Sequence, residues 1–427
     1  MFILKLALRS FIYRRKQYFS LFLVCAAGCG ISLFFLSVTK GMMASLSDKA
    51  RIYYGGDYQI IGGTNELGCY NTTDFIKGLE DIFPEGSVIS PRFDYDAARA
   101  SFYFEGNSAR QRVVKGVDFK KEKRLLSSIN LLEGSIENVG RGGILLSSPV
   151  ASMLCASEGD KITFMAPAFG GGVNTIDLYV RGIFEDSSLF GMYTSYMDLD
   201  DLRQLLCTGH DYSNRICLDL NGANISKEDT KKYHSQLSKR IKMFPLVDDK
   251  QIFYDHLLSG KFKEDNFALV PLQANLQDVK ILIVAMKAIT SFIIGILVLI
   301  IIVGIGSTFK ILVMKRINEI GIYMSLGMNR AHIMLTILTE AVILVLAGSF
   351  AGILLSLLLS RFISIFNFSF IPAFDIFLKG GAIIPLPDMT NICIICLSVL
   401  FFTIAAVTGS VRKSIRIMPC KALAVTE

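Results

Sequence analysis

Four apolar runs constrain this chain more than any other feature: residues 17–39, 288–309, 341–360 and 389–411 contain no Asp, Glu, Lys or Arg. A helix rising about 1.5 Å per residue needs roughly 20 apolar residues to cross a hydrocarbon core of about 30 Å. Each run therefore predicts a transmembrane helix. The 52% hydrophobic content and mean hydropathy of +0.48 suit a membrane protein that also carries a sizeable aqueous domain. That domain is the long polar stretch between the first two runs.

Basic residues flank the runs on one side. Lys5, Arg9, Arg14, Arg15 and Lys16 precede the first, Lys310, Lys315, Arg316 and Arg330 separate the second from the third, and Arg412, Lys413, Arg416 and Lys421 follow the fourth. The positive-inside rule then places both termini and the 310–333 loop in the cytoplasm and the large domain outside. Residues 46–278 hold 26 basic and 32 acidic side chains, a net of −6, leaving 18 against 5 elsewhere. The overall charge of +7 is thus a property of the membrane flanks and gives no argument for a nucleic-acid partner.

The organisation expected is an interfacial amphipathic helix over 1–16, spans over 17–39, 280–310, 334–361 and 389–411, an extracytoplasmic α+β domain with helical stalks over 40–279, a cytoplasmic loop over 311–333, a short external loop over 362–388 and a cytoplasmic tail over 412–427. The first run resembles a secretory signal, with "AAGC" ending at Cys29, but it continues unbroken through "GISLFFLSV", which favours a retained span. Inside the domain, "YQIIG", "RVVKGVDF", "GGILL", "DKITFMAP", "IDLYVRGIF" and "RICLDL" read as strands. Helices are expected at "SPVASMLCA", at "DLDDLRQLL" and from Ser226, three residues ahead of Asp229 in a capping-box arrangement, to about Met243. Stalk helices are expected through "KGMMASLSDKA" and from Leu276, Val279, Ile283 and Met286, and the domain is expected in two sub-parts. "AFGGGVN" over 168–174 reads as a loop.

Nine cysteines are scattered along the chain; Cys207 and Cys217 are near enough in sequence for a disulfide, and "CIIC" over 393–396 lies inside an apolar run, where small buried side chains are the expected reading. No G-x-x-x-x-G-K-[ST] sequence provides a phosphate cradle, and no G-x-S-x-G elbow nominates a serine. His210, His234, His256 and His332 lack metal-ligand spacing, so neither a catalytic nor a metal or cofactor site is assigned.

A loop of about 20 residues cannot bury a core of its own, so the apolar residues of "KRINEIGIYMSLGMNRAHI" need either a partner surface or lipid headgroups. Ile317, Ile320 and Met324 share one helical face, with Arg316 and Glu319 beside it. Glu340 is an acid at the edge of a span and calls for a basic partner at the end of the bundle. Gly348 and Gly352 form G-x-x-x-G in the third span, and Ala26 with Gly30 a small-residue analogue in the first; both mark close helix packing, with a dimer seam among the options.

"RINEIGIYMSLGMNRAHIMLTILTEAVILVLAGSFAG" resembles the signature of the FtsX-like permease family of ABC transporters. The opening "LALRSFIYRRKQYFSLFLVCAAG", the closing "RIMPCKALAVTE" with Pro419 and Leu423, and "VVKGVD" and "GGILLSSPVASMLCASEGDKITF" in the domain are similar to other parts of such permeases. The resemblance implies a non-catalytic subunit of the bacterial inner membrane, paired with a second permease chain and with ABC ATPase subunits that hold the ATP-Mg. It makes 315–333 a coupling helix: Ile317, Ile320 and Met324 would dock, Arg316 and Glu319 would set register, and Gly321 and Gly327 would permit close approach or a bend. Nucleotide-driven movement would pass along the stalks to the outer domain, a mode called mechanotransmission. Two branches fit. "LSVTKGMMASLSDKA" and "KGVDFKKEKRLL" resemble the lipoprotein-releasing branch, with lipoproteins and a periplasmic acceptor as partners; the other branch is the macrolide-exporter type, moving small molecules or peptides. From the residues alone, a membrane receptor with an outer ligand-binding domain is a reading of a different class.

Overall fold

The computed structural model describes residues 13, 15–63, 68–110, 112–185, 190–191, 194–222, 226–246, 248–259, 266–368 and 370–414. Most of the 1–16 helix expected from the sequence, and the tail with Pro419 and Leu423, lie outside the described residues. The chain divides into a membrane unit, formed by Met1–Met43, Leu282–Asn367 and Ala382–Glu427, and an inserted unit, formed by Ala44–Ile281 and Phe368–Gly381.

The helices of the membrane part are α1 (Arg15–Tyr54), α2 (Lys280–Lys315), the short α3 (Ile317–Ser325), α4 (Arg330–Ile363) and α5 (Met389–Ser414). Among the described residues, four of these helices, α1, α2, α4 and α5, are long and apolar enough to cross a membrane. With 40 residues, α1 is about 60 Å long, twice the hydrocarbon thickness, so its apolar run accounts for only about half of it. The mixed residues that follow the run, "KGMMASLSDKAR", keep the helical ladder intact while their charged side chains end the apolar stretch.

α1 is the interior helix of its unit. Half of its apolar window is buried inside the chain, against 17% of that of α2. Its buried face, Tyr18, Leu21, Cys25, Cys29 and Leu33, joins Ile305 and Phe309 of α2, Ala341, Leu344 and Val345 of α4, and Val399 and Val407 of α5 in one apolar core. The small-residue motifs explain how α1 and α4 approach. A Cβ on Gly352 would stand 2.9 Å from both the Ala26 carbonyl oxygen and the Gly30 nitrogen, and one on Gly348 would stand 2.8 Å from the Cys25 Cβ. Ala26, Gly30, Gly348 and Gly352 therefore pack against one another within a single chain.

The inserted unit is a mixed sheet with helices packed on it. Its strands are β1 (Tyr58–Gly63), β2 (Val88–Asp96), β3 (Ser101–Phe104), β4 (Asn107–Arg110), β5 (Val113–Val117) and β6 (Leu131–Gly134). They continue with β7 (Gly143–Ser147), β8 (Lys161–Pro167), β9 (Val173–Phe184), β10 (Thr194–Asp198), β11 (Arg215–Asp219) and β12 (Asn266–Pro271). The order is β12-β1-β11-β2-β5-β10-β7-β9-β8-β3-β4, with β6 on β9. Most neighbours are antiparallel, while β5 with β10 and β7 with β9 are parallel.

One apolar cluster lies at the β3–β8–β9 end, where Phe102 stacks on Phe164 at 4.4 Å under the helices Ser148–Leu154 and Leu199–Leu206. A second forms around Tyr58, Ile216 and Leu269 beneath the helix Lys227–Leu237. The fold is thus an α-helical membrane protein with a large α+β domain between its first two spans. The capping box of Ser226 and Asp229 is present, but that helix ends at Leu237 instead of Met243. Met243 instead bridges to Phe267 of β12, so the chain leaves the helix early to join the sheet edge. No disulfide joins Cys207 to Cys217: Cys207 is exposed in the left-handed position that ends its helix, and Cys217 is buried in β11.

Candidate functional site

In the membrane unit, α2 ends at Lys315 and α3 begins two residues later, with Arg316 at the break. Gly327, at φ +86°, makes the turn after α3, and the Asn329 side chain accepts from Ala331 N to start α4. Arg316 is nearly buried. Its Nη1 donates to Glu340 Oε2 at 2.7 Å and its Nε to Glu319 Oε2 at 3.2 Å. The Tyr18 hydroxyl donates to the same Glu340 oxygen at 2.7 Å. One guanidinium therefore ties the loop to an acid on α4 that is also held by α1. The fully buried Glu340 carboxylate has the charged partner that its burial demands.

The loop's faces differ from the sequence expectation. Ile320 is 7% exposed and belongs to the core of the membrane unit, and Met324 packs partly against the same core. Ile320 therefore faces the core of its own unit, and Ile317 is half-buried. Gly321 lies inside α3 and is buried. The apolar side chains left open are Ile322, at 51% exposure, and Leu326, at 79%. Arg316 faces inward, while the Glu319 side chain is 41% exposed and can reach a partner.

In the inserted unit, a second arrangement surrounds the end of α1. The last turn leaves backbone carbonyls without helical partners, and polar side chains from the sheet supply them. Arg92 on β2, fully buried, donates through Nη1 to the carbonyls of Ile52 at 2.9 Å and Tyr53 at 3.1 Å. Gln59 Nε2 reaches the Tyr54 carbonyl at 2.6 Å, and the Cys217 thiol reaches the same oxygen at 3.3 Å. The other side of the Arg92 guanidinium pairs with the Glu122 carboxylate, which also accepts from Ser90 at 2.7 Å. Beside this pair, Lys115 on β5 stands directly across the strands from Asp94, their charges 2.9 Å apart, and lies 3.9 Å from the centre of the Tyr53 ring.

Burial works against the charge on Arg92, yet the Glu122 carboxylate holds it firmly protonated. Burial would raise the Asp94 carboxyl, but the Lys115 ammonium and the Arg215 guanidinium more than reverse this and keep it below the usual carboxylate range. Burial pulls Lys115 below its ordinary value against the attraction of Asp94. The cations outnumber the acids here, and the partial negative charge at the helix end balances the excess. The sequence reading assigned no role to these residues. Their signal was present as charges inside strand-like runs, "SPRFDYD" and "VVKGV".

Among the described residues, no cluster of three or more His, Cys, Asp or Glu side chains could hold a metal ion. Residues 291–418 match the family model of the FtsX-like permease C-terminal domain. No curated protein matches the chain by sequence. The periplasmic region of MacB from Actinobacillus actinomycetemcomitans is similar at 12% identity, over 54% of this chain and 95% of that one, with a TM-score of 0.33. A domain of a putative permease protein from Porphyromonas gingivalis is similar at 13% identity, over 50% of this chain and 88% of that one, with a TM-score of 0.30.

Proposed function

We propose that this chain is the permease subunit of an ABC transporter in the bacterial inner membrane, with both termini and α3 on the cytoplasmic side and the inserted domain outside. A separate ATPase subunit binds ATP-Mg and docks on α3. A second permease chain, identical or paralogous, completes the membrane part, and the lipid-exposed side chains of α2, such as Phe292 and Val303, are available to it or to lipid. Movement at the ATPase passes through the Arg316–Glu340–Tyr18 link into α1 and α4, and along α1 to the domain that handles cargo.

The observation that carries this reading is the two-sided character of α3, fastened inward by Arg316 and Ile320 and open outward at Ile322 and Leu326. The cargo proposed is lipoprotein, released from the membrane to a periplasmic acceptor; this rests on the sequence resemblance of residues 36–50 and 115–126.

Affinity purification in mild detergent is expected to recover an ABC ATPase at about two copies per two permeases. Replacing Ile322 and Leu326 together by Asp should abolish that recovery while leaving the melting of the purified chain unchanged, because both side chains are exposed. Repeated recovery of the intact chain without any ATPase would sink the transporter reading. For the cargo, depletion of the chain should leave acylated proteins in the inner membrane. Unchanged fractionation would point to export of small molecules or peptides.

A further inference from the structure

The inserted unit contains a cleft of about 590 Å³ that none of the roles above uses. It lies wholly within that unit, between the last turns of α1, the Arg124–Asn130 segment, the end of β9, the turn after β11 and the Asp375–Gly381 segment. Its volume falls in the range of about 300–1,000 Å³ typical of small-molecule sites. The floor is apolar and comes from parts of the chain far apart in sequence: Ile52, Leu125, Ile129, Phe184, Phe190 and Leu378.

The rim is charged and balanced. Lys49, Arg51, Arg124 and Lys379 face the cleft with Asp48, Glu185, Asp219 and Asp375, four of each sign. Most are committed to one another or to neighbours: Lys49 to Asp375 at 2.9 Å, Arg124 to Asp219 at 2.5 Å, Arg51 to Asp57 and Glu185 to Asn130. Asp48 and Lys379 are exposed and make no ion pair or hydrogen bond among the described residues. The free groups at the mouth are thus one acid and one base. A polyanion would meet as much repulsion as attraction, and a purely apolar ligand would leave both groups unused.

We propose that this cleft binds a zwitterionic amphiphile, with its apolar chain against Leu125, Ile129 and Phe184, its cationic group at Asp48 and its anionic group at Lys379. The proposal is independent of the ATPase reading, because binding is measured with no ATPase present.

The chain contains no tryptophan, so Ile129→Trp creates a single fluorescent reporter on the cleft floor. Ser128→Trp, an exposed neighbour in the lining, serves as a second reporter should the first variant fold poorly. Val173→Trp, on the exposed start of β9, reports bulk collisions. The full chain is placed in nanodiscs of phosphatidylglycerol and titrated with a lysophosphatidylcholine brominated on its acyl chain. Saturable quenching is expected at the cleft reporters and only weak, linear quenching at Val173→Trp. Lys379→Glu should weaken the apparent affinity about fivefold to tenfold, the size of one lost charge-assisted contact at an exposed site. Linear quenching at the cleft equal to that of the control would overturn the site. Equal affinity for brominated dodecyl sulfate, or an affinity unmoved by Lys379→Glu, would overturn the zwitterionic assignment.

Discussion

Arg92→Met tests whether the end of α1 is clasped by buried charge or merely packed there. Methionine keeps most of the side-chain length and loses the guanidinium. The carbonyls of Ile52 and Tyr53 then lose their donor, and the Glu122 carboxylate stays buried with only the Ser90 hydroxyl beside it. Breaking one side of a buried pair costs about 3–5 kcal/mol, because the remaining ion is stranded away from water. Set against a typical domain stability of about 5–15 kcal/mol, this moves the folding equilibrium by roughly two to three and a half powers of ten.

The second arm separates the stranded charge from the lost clasp. Arg92→Met combined with Glu122→Leu removes the stranded ion and should recover all but about 1–2 kcal/mol, the residue being the two uncapped carbonyls. Urea titration of the full chain in nanodiscs, read by brief proteolysis of the inserted unit, gives both values. A loss below about 1 kcal/mol for the single variant, or a double variant no better than the single, would refute the assignment of the Arg92–Glu122 pair as the group that holds the helix end.

Two further outcomes are expected. The Asp94 carboxyl has a lowered value in the folded state, so its contribution is complete above the ordinary carboxylate range and is lost as pH falls through the folded value; Asp94→Asn should flatten the acid side of the stability profile of the inserted unit, and an unchanged profile would remove Asp94 from the network. Burial pushes the Cys217 thiol up to about 12, so at pH 8 maleimide should modify Cys155 and Cys207 in the native protein and reach Cys217 only after denaturation; rapid native labelling of Cys217 would contradict its place behind the helix end.

What could be read from the sequence followed the hydrophobic pattern. The spans and the strands β1, β5, β7, β8, β9 and β11 carry apolar runs and lie where those runs predict. β2 and β10 escaped notice because half of their buried positions are polar or charged, Arg92 and Ser90 on one, Thr194 and Ser195 on the other, which breaks up the apolar run. A charge is tolerated in the middle of a sheet only when its partner is also there, and Lys115 reaches Asp94 through a strand pairing that no local pattern reveals. The small-residue motifs at Ala26 and Gly348 were visible, but each is the other's partner across more than 300 residues. The loop helix was visible too, yet its exposed face was misjudged. α3 carries Ile317, Ile320, Ile322, Tyr323 and Met324 around most of its circumference, and periodicity cannot say which stripe turns inward. The buried Gly321 marks that side.

The contact between α1 and α4 also sets a timetable for making the protein. Tyr18 and Glu340 are 322 residues apart, and the main part of the inserted unit, Ala44–Ile281, is synthesised between them. At about 5–20 residues per second, α1 waits roughly 15 to 60 s in the membrane before the helix that covers its Cys25–Gly30 face exists. Through that interval the groove needs a temporary neighbour, either lipid or the insertion machinery. Glu340, arriving late, enters a bilayer in which Tyr18 is already in place and Arg316 has just preceded it.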